Sequence, residues 1–177
     1  MKLLRSLMVA GMAVFLTGCP YHSRYSAGPA FKAGPDPAIL GAWTSCNPEN
    51  SGECSRLYLY RFSESEYYAE TSEVRYEDDA SKVSVQTDRY RVFRTGIGKP
   101  PLVNIRPLDI STSVVSENYF ARLELRSPDE LTVAFVSDSF VKADFNSSGE
   151  LGAYLKSNID KPGFFEPFAA FRRLKKN

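Results

Sequence analysis

Histidine is nearly missing from this chain: His22 is the only one in 177 residues. Acid-base catalysis or a nucleophilic triad built on imidazole therefore has almost no material. A tetrahedral zinc site needs four nitrogen or sulfur ligands; Cys46 and Cys54 offer two, and His22 lies far from them in the sequence. Charge of one sign is lacking too. The formal net charge is +1, so the chain lacks the basic footprint of a nucleic-acid binder. No apolar run reaches the roughly 20 residues that a membrane-spanning helix needs. With 43% hydrophobic and 13% aromatic residues, the composition also excludes a wholly disordered chain.

The remaining chemical motifs are weak. Glu77-Asp78-Asp79 and Asp129-Glu130 pair carboxylates, but each sits in a predicted solvated turn. Gly96-Ile97-Gly98-Lys99 contains part of a phosphate loop without its spacing, and Pro100-Pro101 stands where a magnesium-binding hydroxyl belongs. It is expected to be a flexible loop at a barrel rim. The basic C-terminal cluster Arg172-Arg173-Lys175-Lys176 reads as a solvated tail, with contact to acidic lipid head groups as the alternative. No catalytic residue, metal or cofactor is implied, and an enzyme is the least supported class.

The N-terminus is more informative. Lys2 and Arg5 precede an apolar stretch from Ser6 to Leu16, and no acidic residue occurs before Cys19. A basic start and an apolar core of this length fit a secretory signal rather than a transmembrane helix. The stretch ends in Leu16-Thr17-Gly18-Cys19, which resembles a bacterial lipobox. That resemblance implies cleavage before Cys19, lipid on Cys19, and a protein anchored in the bacterial envelope. At least two acyl chains would hold it stably. Pro20 rather than Asp follows the cysteine, which by analogy with enteric lipoproteins points to the outer membrane, facing the periplasm.

Three segments follow: a signal peptide at 1–18, a lipidated Pro/Gly-rich tether at 19–38, and one domain at 39–177. Removing 1–18 leaves 159 residues, enough for one hydrophobic core, and takes the net charge from +1 to −1. The tether holds Pro20, Pro29, Pro35 and Pro37, which cannot donate to a ladder. Tyr21 and His22 read as its side chains. In an oxidising compartment Cys46 and Cys54, flanking a turn-rich segment, are expected to pair as a disulfide. Two free thiols or half of a metal site are the alternatives.

From Ile39 onward the pattern is β. Short strands are predicted at Ile39–Thr44, Arg56–Phe62, Tyr67–Tyr76 (as strands or a hairpin), Val83–Phe93, Leu102–Ile105, Tyr119–Leu125 and Leu131–Val136. Ser127-Pro128-Asp129-Glu130 predicts a tight hairpin turn. Ser147 with Glu150 forms a capping box for one helix carrying Leu151, Tyr154, Leu155 and Ile159 at helical spacing, which Asp160-Lys161-Pro162-Gly163 ends. A closing strand runs from Phe168 to Leu174. Consecutive antiparallel strands bury their edges best by closing, so the expected fold is mainly β: an antiparallel up-and-down barrel with one short C-terminal helix before the last strand.

Gly41-Ala42-Trp43 on the first strand resembles the Gly-x-Trp signature of the lipocalins. The resemblance spans about residues 39–176, although no second or third lipocalin motif is found. It implies that Trp43 plugs one barrel end and that Arg172 or Arg173 packs over it. The helix before the final strand also resembles a group of uncharacterised bacterial lipocalin-like proteins. Two functions are expected from different classes. In the first, a cavity walled by Tyr58, Tyr60, Phe93, Tyr119, Leu123, Val133 and Phe135 takes a small apolar or amphiphilic ligand, such as a fatty acyl chain. In the second, a packed barrel meets an envelope protein partner, or inhibits an enzyme, through loops at Cys46–Cys54 and Gly96–Pro101.

Overall fold

The computed structural model describes residues 19–32, 34–46, 54–76, 83–108 and 117–175. The signal peptide expected at 1–18, residues 47–53, the turn expected at Glu77-Asp78-Asp79, and Lys176 lie outside the described residues. A two-residue strand, β1 (His22–Ser23), comes first. It is followed by β2 (Gly41–Cys46), β3 (Cys54–Arg61), β4 (Glu66–Tyr76), β5 (Val83–Arg94), β6 (Leu102–Pro107), β7 (Asn118–Ser127) and β8 (Glu130–Val136). Helix α1 (Ser148–Asn158) then precedes the last strand, β9 (Phe165–Arg173).

From β2 to β9 every strand pairs antiparallel with the next one in sequence. β9 also pairs with β2, through Trp43–Arg173 and Thr44–Arg172. The ring is a closed, antiparallel, up-and-down barrel of eight strands with one helix before the last. Closure leaves no free edge in the ring. The region expected to hold strands or a hairpin at Tyr67–Tyr76 is one long strand, paired with β3 on one side and β5 on the other.

Local chemistry sets the connections. Pro128 and Asp129 form the tight turn between β7 and β8. The side chain of Ser147 accepts from the Glu150 amide at 3.2 Å, and Glu150 in return accepts from the Asn146 amide at 3.0 Å. The first bond satisfies an amide that the first turn of α1 leaves without a partner, and the second ties Glu150 back to the residue before the cap.

Two apolar cores result. The inner one holds Trp43, Leu59, Tyr67, Val92, Leu131 and Phe171 inside the ring. The second lies on the outer face of β6, β7 and β8, where Leu102, Phe120 and Val136 meet Leu151 and Leu155 of α1. Each such fully buried side chain contributes roughly 1.5–3 kcal/mol.

The predicted tether is corrected by this second core. Residues 19–32 and 34–40 run along the barrel rather than standing away from it. The Tyr21 amide donates to the Val136 carbonyl at 2.8 Å, β1 pairs with β7, and the Phe31 amide donates to the Arg94 carbonyl at 2.7 Å. Tyr21, Ala27 and Pro35 are buried. The prolines keep the segment out of the main ladder, but its apolar side chains still gain by leaving water. Gly96–Pro101 is likewise no loose loop. Ile97 is buried in the second core, and its carbonyl accepts from the Leu102 amide.

Candidate ligand cavity

One end of the barrel is plugged. Trp43 is fully buried and its indole N–H donates to the Ile39 carbonyl at 3.0 Å. Arg173 lies over the indole with its guanidinium carbon 4.1 Å from the ring centre. That guanidinium donates to the carbonyls of Ala38 (2.6 Å), Leu40 (2.9 Å) and Pro128 (2.9 Å). The strand register explains the choice between the two arginines. Arg173 stands opposite Trp43 and shares its inward face, whereas Arg172 stands opposite Thr44 and is exposed.

Above the plug the ring encloses a cavity of about 420 Å³, open at the other end. Eight-stranded barrels either fill with side chains or keep room for one small ligand. This volume is within the range of small-molecule sites. Leu57, Leu59, Ala69, Val92, Ile105 and Phe171 form its apolar depth. Four of the expected wall residues, Tyr119, Leu123, Val133 and Phe135, line it as well.

The other three do not. Leu57 and Leu59 take the inward positions of β3, so Tyr58 and Tyr60 project outward. There they form a stacked row with Tyr68, at 6.3 Å between successive ring centres. Phe93 has the opposite parity to inward Val92. A run of alternating tyrosine and leucine is apolar on both faces, so composition alone does not choose the inner one. Here the smaller aliphatic side chains went in.

Sequence reasoning missed the polar wall. Thr71, Glu73 and Asp88 reach the lining from β4 and β5, together with Tyr90. Arg56 and Arg89 complete a rim with charges of both signs. The signal was present in parity: Asp88 and Tyr90 share the face of Val92, while Val85 on the opposite face is 61% exposed. Burial raises the Tyr90 hydroxyl pKa above the ordinary tyrosine value, and the Asp88 charge adds to it; a hydrogen bond with Thr71 opposes both. Burial likewise raises Tyr119, with the Glu117 charge reinforcing it. Both phenols are therefore neutral hydrogen-bonding groups at the cavity wall.

Two further expected sites are placed. Cys46 and Cys54 form a disulfide joining the ends of β2 and β3 at the open end. Cys19 is exposed, and its carbonyl accepts from the Asp138 amide at 3.2 Å. Its neighbour Pro20 bridges to Ser137 and lines the cavity. The solitary histidine, His22, lies beside Glu117, with Nε2 3.6 Å from Oε1.

Among the described residues no helix is long and apolar enough to cross a membrane. No group of three or more histidine, cysteine or acidic side chains among them could hold a metal ion. The chain matches no family model, and no curated protein or solved structure matches it at a significant level.

Proposed function

We propose that this chain is a bacterial envelope lipoprotein of lipocalin-like type, anchored through lipid on Cys19 to the outer membrane and facing the periplasm. Its barrel holds one small amphiphile. It acts by binding rather than by catalysis. The observation that carries this reading is the cavity of about 420 Å³ inside a barrel that is plugged at one end and open at the other. Its apolar depth suits an acyl or similarly apolar body. The rim of Arg56, Glu73, Asp88 and Arg89, with the hydroxyls of Thr71 and Tyr90, suits a polar head.

The alternative, a non-enzymatic envelope interaction protein or inhibitor with a packed barrel and recognition loops, has less support, because the barrel interior keeps an open cavity. The Cys46–Cys54 loop joins strands at the open end, while Gly96–Pro101 joins β5 to β6 at the plugged end. One flat partner surface does not reach both.

Native mass spectrometry tests the binding reading. Residues 20–177 are exported into a bacterial periplasm, purified, and weighed before and after organic extraction. The expected result is a discrete added mass that extraction removes. A single bare mass, unchanged after incubation with mixed envelope lipids, contradicts ligand binding.

A further inference from the structure

We infer that the barrel stands mouth-down on the membrane, so that its cavity opens into the leaflet that holds the anchor. This rests on the reading of Cys19 as the lipidated residue. A tether would leave the orientation free, but the described residues that follow Cys19 are docked on the barrel. Cys19 is held at the rim by the Asp138 amide, Pro20 by its bridge to Ser137, and Tyr21 by the Val136 carbonyl. Pro20 itself lines the cavity. Consecutive Cα atoms are about 3.8 Å apart, so acyl chains on Cys19 begin within one residue of the opening.

The rim has two sides: Arg56, Glu73, Asp88 and Arg89 on β3, β4 and β5 form a charged side that would lie at head-group level, and the side next to β6 and β9 is apolar. Phe168 is 61% exposed, lines the cavity, and packs edge-on against Phe135 with ring centres 5.2 Å apart. Leu108, next to the lining residue Pro107, is also exposed. Exposed apolar side chains clustered around an opening mark a surface that some other apolar phase covers. The opposite end also exposes apolar side chains, Phe31, Phe62 and Leu174. Position decides between the two ends. β5 alone has 12 residues, a path of roughly 40 Å at about 3.3 Å per residue. A lipid fixed at the mouth does not bring the plugged end to the same bilayer. The ligand therefore enters from the membrane, and an acyl-chain lipid of that leaflet is the class that fits.

The test uses the full chain, exported, lipidated and reconstituted in phosphatidylcholine vesicles that carry a nitroxide on the lipid head group. A fluorophore is attached at Leu108→Cys or Phe168→Cys at the mouth, and at Asp129→Cys or Ser63→Cys at the plugged end. All four positions are exposed, so folding is little disturbed. Intact mass first shows whether Cys19 carries a diacylglyceryl group. Quenching several-fold stronger at both mouth positions is the expected result. Equal quenching at the two ends, or stronger quenching at the plugged end, on a lipidated protein overturns the orientation and leaves the anchor standing. An unlipidated Cys19 overturns the anchor and the orientation with it. Mouth quenching in a protein that yields no extractable ligand supports the orientation and removes the ligand reading alone.

Discussion

Arg173 covers the buried face of Trp43 at 4.1 Å while donating to three backbone carbonyls, those of Ala38, Leu40 and Pro128. One side chain thus joins the last strand, the first strand, the β7–β8 turn and the docked N-terminal segment. A cation over a partly desolvated indole contributes about 1–2 kcal/mol, and hydrogen bonds from a charged donor add to it. Arg173→Ala is therefore expected to lower unfolding free energy by about 2–4 kcal/mol in a urea titration. The exposed neighbour Arg172→Ala should stay within about 0.5 kcal/mol of the parent. Equal effects from the two variants would contradict the plug.

The docking of the segment that precedes β2 is tested at Gly34. Its φ is +67°, and a Cβ built there would overlap the Glu64 carbonyl oxygen. A side chain is both strained in this backbone region and without space. Gly34→Ala is expected to cost about 2–4 kcal/mol by thermal or denaturant unfolding. In Gly149→Ala, in the first turn of α1, the added Cβ meets only ordinary contact distance. That variant should be neutral or slightly stabilising, by up to about 1 kcal/mol. A free tether would tolerate both changes equally.

The Cys46–Cys54 disulfide closes a short loop with a sequence separation of 8. Loop-closure entropy for that length gives about 2–3 kcal/mol. The paired substitution Cys46→Ser with Cys54→Ser is expected to lose that amount while keeping the far-ultraviolet circular dichroism of the barrel. Collapse of the β signal would mean that the barrel depends on the bridge for folding.

Tyrosine ionisation sets the alkaline limit. Burial raises the Tyr67 pKa above 10, partly offset by the Asp36 amide that donates to its hydroxyl; burial with the Asp88 charge raises Tyr90. These phenols ionise more easily in the unfolded chain. Their contribution is therefore complete below about pH 10 and is lost as pH rises through the higher folded values. Absorbance near 295 nm should show a late group of tyrosines whose ionisation coincides with loss of the barrel signal. Full titration of every tyrosine near pH 10 with the barrel intact would contradict their burial.

Much of this fold is written locally. Ser127–Glu130 specifies its turn, Ser147 with Glu150 specifies the start of α1, and Trp43 with a terminal arginine specifies how the ring closes. Facing was harder. In β3 both parities are apolar, so the aromatic face was expected inside although Leu57 and Leu59 occupy it. In β5 Phe93 reads as a wall residue, whereas Tyr90 and Val92 carry the inward parity. The docked N-terminal segment was hidden for a different reason. Proline density reads as a tether because it removes ladder donors, while the burial of Tyr21 and Ala27 depends on a helix about 120 residues later. The two carboxylates on the cavity wall were legible only after the parity of β4 and β5 was known.

Titration with a fluorescent acyl-chain probe reads directly whether the barrel holds a ligand in its cavity. Leu123 lines the cavity and is only half-buried, so Leu123→Trp should place its added volume in the open space with the fold retained by circular dichroism. The parent is expected to bind one probe per chain, Tyr60→Ala on the outer face to bind equally well, and Leu123→Trp to bind at least about tenfold more weakly, a change of about 1.4 kcal/mol. A parent that does not bind, or a folded Leu123→Trp variant that binds as the parent does, would contradict binding in the cavity.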